Sequence, residues 1–150
     1  MRIYIDTSVI NGLYAQDRRI RESTEYFFQT AQHNNYVLYG SEVVALEIKA
    51  TPDVEKRKLL IKVVEDFSIE ILPVSKEVEN LASCYVKNKI IPARYKADAQ
   101  HIACCVIHNI PVLVSWNFKH IVKHKTRVEV NLISRKLNLP EIDICSPEEV

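Results

Sequence analysis

The stretch "PVLVSW", residues 111 to 116, decides the fold. Val112, Leu113 and Val114 form a continuous apolar run of strand length, whereas a strand with one face in water alternates apolar with polar residues. Such a run suits a strand covered on both faces, with helices on either side of a mainly parallel sheet. Working outward, residues 2 to 5, 36 to 39 and "IEIL" at 69 to 72 read as three further strands, and "IDI" at 142 to 144 adds an edge strand. Apolar residues at helical spacing predict helices over 18 to 33, from after Ser41 to before Pro52, and over 53 to 66, 75 to 87, 93 to 108 and 127 to 137. The alternation predicts an α/β chain of four to five strands, with residues 1 to 150 in one domain. In such sheets ligands gather outside the carboxyl ends of the strands, where Asp6 follows the first strand and Asn117 the fourth.

Composition narrows the function classes. The chain is 47% hydrophobic and 26% charged, and no apolar run approaches the roughly 20 residues that span a bilayer. No charged leader with an apolar stretch precedes the first strand, so a cytoplasmic protein with no membrane partner is expected. Cys84, Cys104, Cys105 and Cys145 show no CxxC spacing and read as small core residues rather than as disulfides or zinc ligands. A net charge of +1 gives no global basic field, so binding to nucleic acid needs local patches. Arg18, Arg19 and Arg21 offer one, and "KHIVKHKTR" at 119 to 127 another; taken alone, each reads more simply as a solvated helix face. With only Gly12 and Gly40, the chain lacks the glycine-rich turn of a dinucleotide site, and Ser8 breaks the Asp-x-Asp of a phosphoaspartyl enzyme.

Three carboxylates stand where core residues belong. Asp98 lies four residues before Ile102 on the apolar stripe of "YKADAQHIACCVIHN", and Glu47 shares the face of Val43 and Val44. Asp6 ends an apolar strand. Singly, each has a structural explanation: Asp6 as cap of a turn starting at Thr7, Glu47 paired with a buried base, Asp98 on first-turn N–H groups. Together they are costly, because a buried charge without a partner costs several kcal/mol, and a divalent cation removes that cost.

In order and spacing, "YIDTSVI", "EVVALEIKA", "DAQHIACC" and "LVSWNFKHI" resemble the PIN-domain nucleases, including the VapC-type toxins of prokaryotic toxin-antitoxin pairs. The resemblance covers essentially the whole chain, and its most specific parts are the strand ending in Asp-Thr-Ser and the helix reading Asp-Ala-x-His-Ile-Ala. It implies a three-layer α/β/α fold and an RNA endonuclease dependent on Mg²⁺ or Mn²⁺. Its acidic positions carry onto Asp6, Glu47 and Asp98, and its small hydroxyl position onto Ser8. It also implies a small antitoxin partner and a homodimer.

One position departs from the family pattern. After the fourth strand the family often has an Asp, and here "SWNF" supplies Asn117, a neutral oxygen ligand that would hold a second cation more weakly. Asn117 equally suits the N-cap of the turn that follows, and the two readings are compatible. Ser8 and Ser115 are placed to orient a carboxylate or a water, and Arg94, Lys96, Lys119, His120 and Lys123 surround the acidic mouth as phosphate contacts. Trp116 reads as core rather than as a base platform. His120 and His124 have metal-site spacing, with exposed basic residues the simpler reading, and His101 reads as a hydrogen-bonded core histidine within reach of the site. The rival to a nuclease is a catalytically weakened PIN domain that binds RNA or protein.

Overall fold

Five short strands, β1 (Arg2–Ile5), β2 (Val37–Ser41), β3 (Glu70–Leu72), β4 (Val112–Val114) and β5 (Asp143–Cys145), pair in the order β3-β2-β1-β4-β5 in the computed structural model, which describes residues 1 to 150. Every neighbouring pair is parallel, and β1 is central, with Ile3 opposite Leu38 on one side and Val112 on the other. The chain steps outward from β1 through β2 to β3, then returns to the far side of β1 as β4. The order therefore reverses between β1 and β4, which opens a crevice at their carboxyl ends.

Seven helices cover the two faces: α1 (Thr7–Gly12), α2 (Arg18–His33), α3 (Glu42–Lys49), α4 (Val54–Asp66), α5 (Lys76–Lys87), α6 (Lys96–Ile107) and α7 (His124–Lys136). This is the three-layer α/β/α arrangement. Local chemistry sets many of the boundaries. Asp6, Asp17, Ser41, Asp53 and Ser75 each accept a first-turn N–H as N-caps. With glycine scarce, the left-handed residues that close the helices are Asn35, Ser68, Lys89, Asn109 and Asn138, with φ between 49° and 58°.

The sheet separates two apolar layers. Tyr4 and Leu113 join residues of α5, α6 and α7 in one, while Ile3, Ile5 and Val114 join α1 to α4 in the other. Strand alternation explains this split, and the backbone of Asp6 remains extended (φ −86°, ψ 176°), so Asp6 shares the Tyr4 face and looks toward α6. Gly12 permits a close approach on the other face, where an added Cβ would meet Thr24 Oγ1 at 2.4 Å and Trp116 Nε1 at 3.0 Å.

Strand ends shift by one or two residues, and two helix starts differ from expectation by three. The first turn expected of α6 is a separate 3-10 turn, Ala93–Tyr95, because Tyr95 (φ −112°, ψ 39°) leaves helical geometry before Lys96. Helix α7 starts three residues earlier than its apolar spacing predicts. Its first turn is polar, and it is anchored by buried Thr126, whose hydroxyl donates to the His120 carbonyl at 2.7 Å. The four cysteines are free, with Cys104 and Cys105 in the core. No helix is long and apolar enough to cross a membrane.

Candidate active site

The crevice between β1 and β4 gathers the acidic residues. Asp6 follows β1 directly and is buried, and both of its oxygens are taken by hydroxyls: Ser8 donates to Oδ1, and Ser115, from the end of β4, donates to Oδ2 at 2.6 Å. Both serines are in turn held from behind, since Ser8 accepts the Trp116 N–H and Ser115 accepts the Asn117 N–H, each at 2.9 Å. Ser115 has no exposed surface, so its placement is that of a support for Asp6 and not of a direct substrate contact.

Glu47 reaches the same edge from α3. Its side chain is 40% exposed, yet its carboxylate Oε1 accepts from Thr7 Oγ1 at 2.8 Å and lies 2.6 Å from His101 Nε2. Asp98 stands half-buried in the first turn of α6, with both oxygens free of hydrogen bonds. His101, one turn further along α6, is fully buried, and its Nδ1 lies 2.7 Å from the Tyr4 hydroxyl.

These groups disturb one another's ionisation. Burial raises Asp6 above the usual carboxylate range, and the Glu47 charge adds to the rise against the pull of His101, Ser115 and Ser8. Burial also raises Asp98, and the Asp6 charge pushes the same way, opposed by His101, His120 and Asn117. For Glu47 burial again acts upward, but the bond and charge of His101 and the Thr7 hydroxyl outweigh it and hold it low. Burial lowers His101, and its bond to Glu47 together with the charges of Asp6, Glu47 and Asp98 reverses that and raises it. Two carboxylates thus resist ionising chiefly because they are buried, and the pull of His101 does not offset that.

The donors are hard oxygens of the kind Mg²⁺ and Mn²⁺ take. As they stand, no three acidic, histidine or cysteine side chains are close enough to ligate one ion. Free lone pairs remain on Asp98 and on Glu47 Oε2, so the set fits such a cation in chemistry, and binding one requires the side chains to close in around it.

Asn117 caps the turn after β4: its Oδ1 accepts the His120 N–H at 2.9 Å, and its amide sits beside Asp98, favouring the ionised carboxylate without closing a full hydrogen bond. The surrounding cations divide. Arg94 and Lys119 converge on the Tyr95 ring, each 5.7 Å from its centroid, whereas Lys96 turns away to Glu79 at 3.1 Å. The early arginine run is spent internally, Arg18 on Glu22, Arg19 on Glu148 and Arg21 on the Ala15 carbonyl. His120 is not the exposed basic residue expected from its charge-rich surroundings. It is 7% exposed and stacked on Tyr95 at 4.2 Å, and because α7 begins only at His124, the two histidines share no helical face. Trp116 packs against the α1–α4 layer and donates to Thr24 at 2.9 Å. Thr7 and Tyr4 belong to the site although their sequence context did not single them out. A signal existed for each: Thr7 lies beside Asp6 in a run of oxygen-bearing side chains, and a core tyrosine requires a hydroxyl partner.

The PIN domain model matches residues 3–120. This chain belongs to the PIN-domain family. The matched span contains every carboxylate of the crevice and ends at His120, in the turn capped by Asn117. Among solved structures, the chain is similar to that titled VapBC2 from Rickettsia felis bound to a DNA fragment from their promoter, with 14% identity, a TM-score of 0.57 and coverage of 97% of this chain and 98% of that one. At that identity the likeness is one of fold. A comparison with curated proteins gives no match. The PIN family is one of nucleases in the main, and in this PIN domain the acidic side chains meet at the β1–β4 crevice.

Proposed function

We propose that this PIN domain is a metal-dependent endoribonuclease, the toxin of a VapBC-like pair. The observation that carries the reading is the convergence of Asp6, Glu47 and Asp98 on the β1–β4 crevice, where burial raises Asp6 and Asp98 above their ordinary values. Asp6, Glu47 and Asp98 would hold Mg²⁺ or Mn²⁺, and Asn117 would add a neutral oxygen through its second lone pair. A divalent cation supplies in such a site an activated water and neutralises charge on the phosphoryl oxygens. Ser8 and Ser115 fix the Asp6 carboxylate, and Thr7 fixes Glu47. Arg94, Lys119 and, released from Glu79, Lys96 bind the phosphates on either side of the scissile bond, contacts that position the strand without reading its sequence.

Cleavage of a defined RNA panel with Mg²⁺, Mn²⁺ or EDTA tests the chemistry. The expected result is cleavage that EDTA stops and that Asp6→Asn and Asp98→Asn each reduce by at least about 100-fold, the loss of about 2.7 kcal/mol of transition-state stabilisation. RNA retained without cleavage by the wild-type chain overturns it and favours a second reading, a binding module. One observation speaks for that alternative: the Asn117 oxygen is already engaged by His120 N–H and carries no charge. The toxin reading rests on the VapC-type sequence motifs and on the fold likeness to VapBC2, and it calls for a small antitoxin and a homodimer in the cytoplasm. A neighbouring open reading frame whose product relieves growth arrest by this chain supports it; arrest that no neighbour relieves counts against it.

A further inference from the structure

Beneath the carboxylates runs a buried polar chain whose members come from the elements that carry the acids. Ser41 ends β2 and caps α3, accepting the Val43 N–H at 3.2 Å; its Oγ lies 2.8 Å from the Tyr4 hydroxyl. The Tyr4 hydroxyl lies 2.7 Å from His101 Nδ1, and His101 Nε2 lies 2.6 Å from Glu47 Oε1. Tyr4 is two residues before Asp6 on the same strand face, His101 three residues after Asp98 on the same helix, and Ser41 six residues before Glu47 at the head of its helix. Tyr4, Ser41 and His101 are all 2% exposed or less. A buried polar network of this depth is costly unless every member is satisfied, and here each link has a partner. Against a carboxylate, Nε2 carries a proton and donates, while the hydroxyl at Nδ1 turns to give or to take one, so the geometry holds in either charge state of the ring.

We infer that His101 is a positioning residue that sets the relative placement of Asp6, Glu47 and Asp98, locking Glu47 Oε1 so that Oε2 stays free toward the crevice. This rests on the reading above that these three acids hold a divalent cation. A histidine braced between a core tyrosine and a carboxylate fixes α6 against β1 and α3 together, which no contact made directly by the acids does. Thr7 shares Oε1 with His101 and leaves Oε2 without a partner, so truncating His101 leaves the Glu47 carboxylate held by the Thr7 hydroxyl alone.

Direct Mn²⁺ binding, measured by electron paramagnetic resonance of the free ion, tests this without using cleavage. His101→Leu is expected to weaken Mn²⁺ binding about 10- to 100-fold, the usual cost of losing a group that orients a ligand, and Tyr4→Phe by several-fold. His101→Gln, which keeps an N–H donor toward Glu47, is expected to recover most of the loss. In a Glu47→Gln background, His101→Leu should cost clearly less than it costs the wild type, whereas a merely structural residue would weaken both backgrounds alike. A folded His101→Leu that binds Mn²⁺ within about twofold of wild type, or a loss that adds in full to that of Glu47→Gln, overturns the inference. If His101→Leu does not fold, Tyr4→Phe decides: unchanged binding overturns it. Wild-type chain that binds Mn²⁺ but cleaves no RNA overturns the nuclease reading alone and leaves this inference standing, and wild-type chain that binds no Mn²⁺ overturns the inference as well.

Discussion

Asp6 shows how a candidate site residue works against the fold that holds it. Its pKa in the folded chain is raised above the unfolded value, first by burial and then by the Glu47 charge. The folded state therefore binds the proton more tightly, stability falls as pH rises from the unfolded carboxylate range through the folded pKa, and above that the ionised group costs stability in full. Asp6→Asn removes the charge and keeps an oxygen for one serine, while the other hydroxyl can turn to accept from the new amide. The expected outcome, without metal and near pH ~7, is a variant that melts higher than wild type, each 1 kcal/mol appearing as about 2–4 °C. The gap should close as pH falls toward about 4, where the wild-type carboxyl regains its proton. Mn²⁺ at about 100 times its Kd should add about 2.7 kcal/mol to the wild type and nothing to the variant, so the order of melting narrows or reverses. Thermal melts with and without Mn²⁺ check this, and an Asp6→Asn chain that melts lower at neutral pH sinks it.

At the scale of elements, what the sequence made legible was local. The continuous run at Val112 to Val114, the caps at Ser41 and Asp6, and the stripe through Asp98, Ile102 and Val106 each depend on near neighbours, and the structure places each as expected. What was not legible depends on distant chain: the Tyr4–His101–Glu47 link joins residues 43 to 97 positions apart, and His120 is buried with the distant Tyr95 ring stacked on it. The helix ends show a third kind of feature, a local choice made against propensity. Lys89, after α5, sits at φ 58° in the left-handed region, exposed and with no side-chain hydrogen bond or ion pair to compensate. A left-handed conformation costs a residue with a Cβ about 1–2 kcal/mol, and glycine avoids it while gaining unfolded-state entropy. Lys89→Gly is therefore expected to stabilise the chain by roughly 1 kcal/mol, a rise of about 2–4 °C in Tm, with binding and cleavage unchanged because Lys89 lies outside the crevice. Urea unfolding measures it, and a shift to lower midpoint refutes it.

Taken as a whole molecule, the protein is nearly neutral, with a net charge of +1, so no broad field draws a polyanion to it. Its carboxylate crevice repels phosphate in the absence of a cation. Attraction must come from the few positive side chains at the rim, and the structure reduces their number: the early arginines are bound to the chain's own acceptors, and Lys96 is tied to Glu79. Arg94, Lys119 and the half-buried Lys123 remain, the first two exposed and both over Tyr95. Each phosphate contact on a single strand contributes about 0.7 to the slope of log affinity against log salt. Removing both cations in Arg94→Ala/Lys119→Ala should therefore flatten the slope by about 1.4 and weaken binding at low salt alike for unrelated RNA sequences, since such contacts read phosphate and not base. The measurement is RNA affinity over a salt series, made in Ca²⁺ so that the crevice is neutralised without turnover. An unchanged slope would place the RNA on another face, and a loss confined to one sequence would make Tyr95 and its two cations a reader of bases instead.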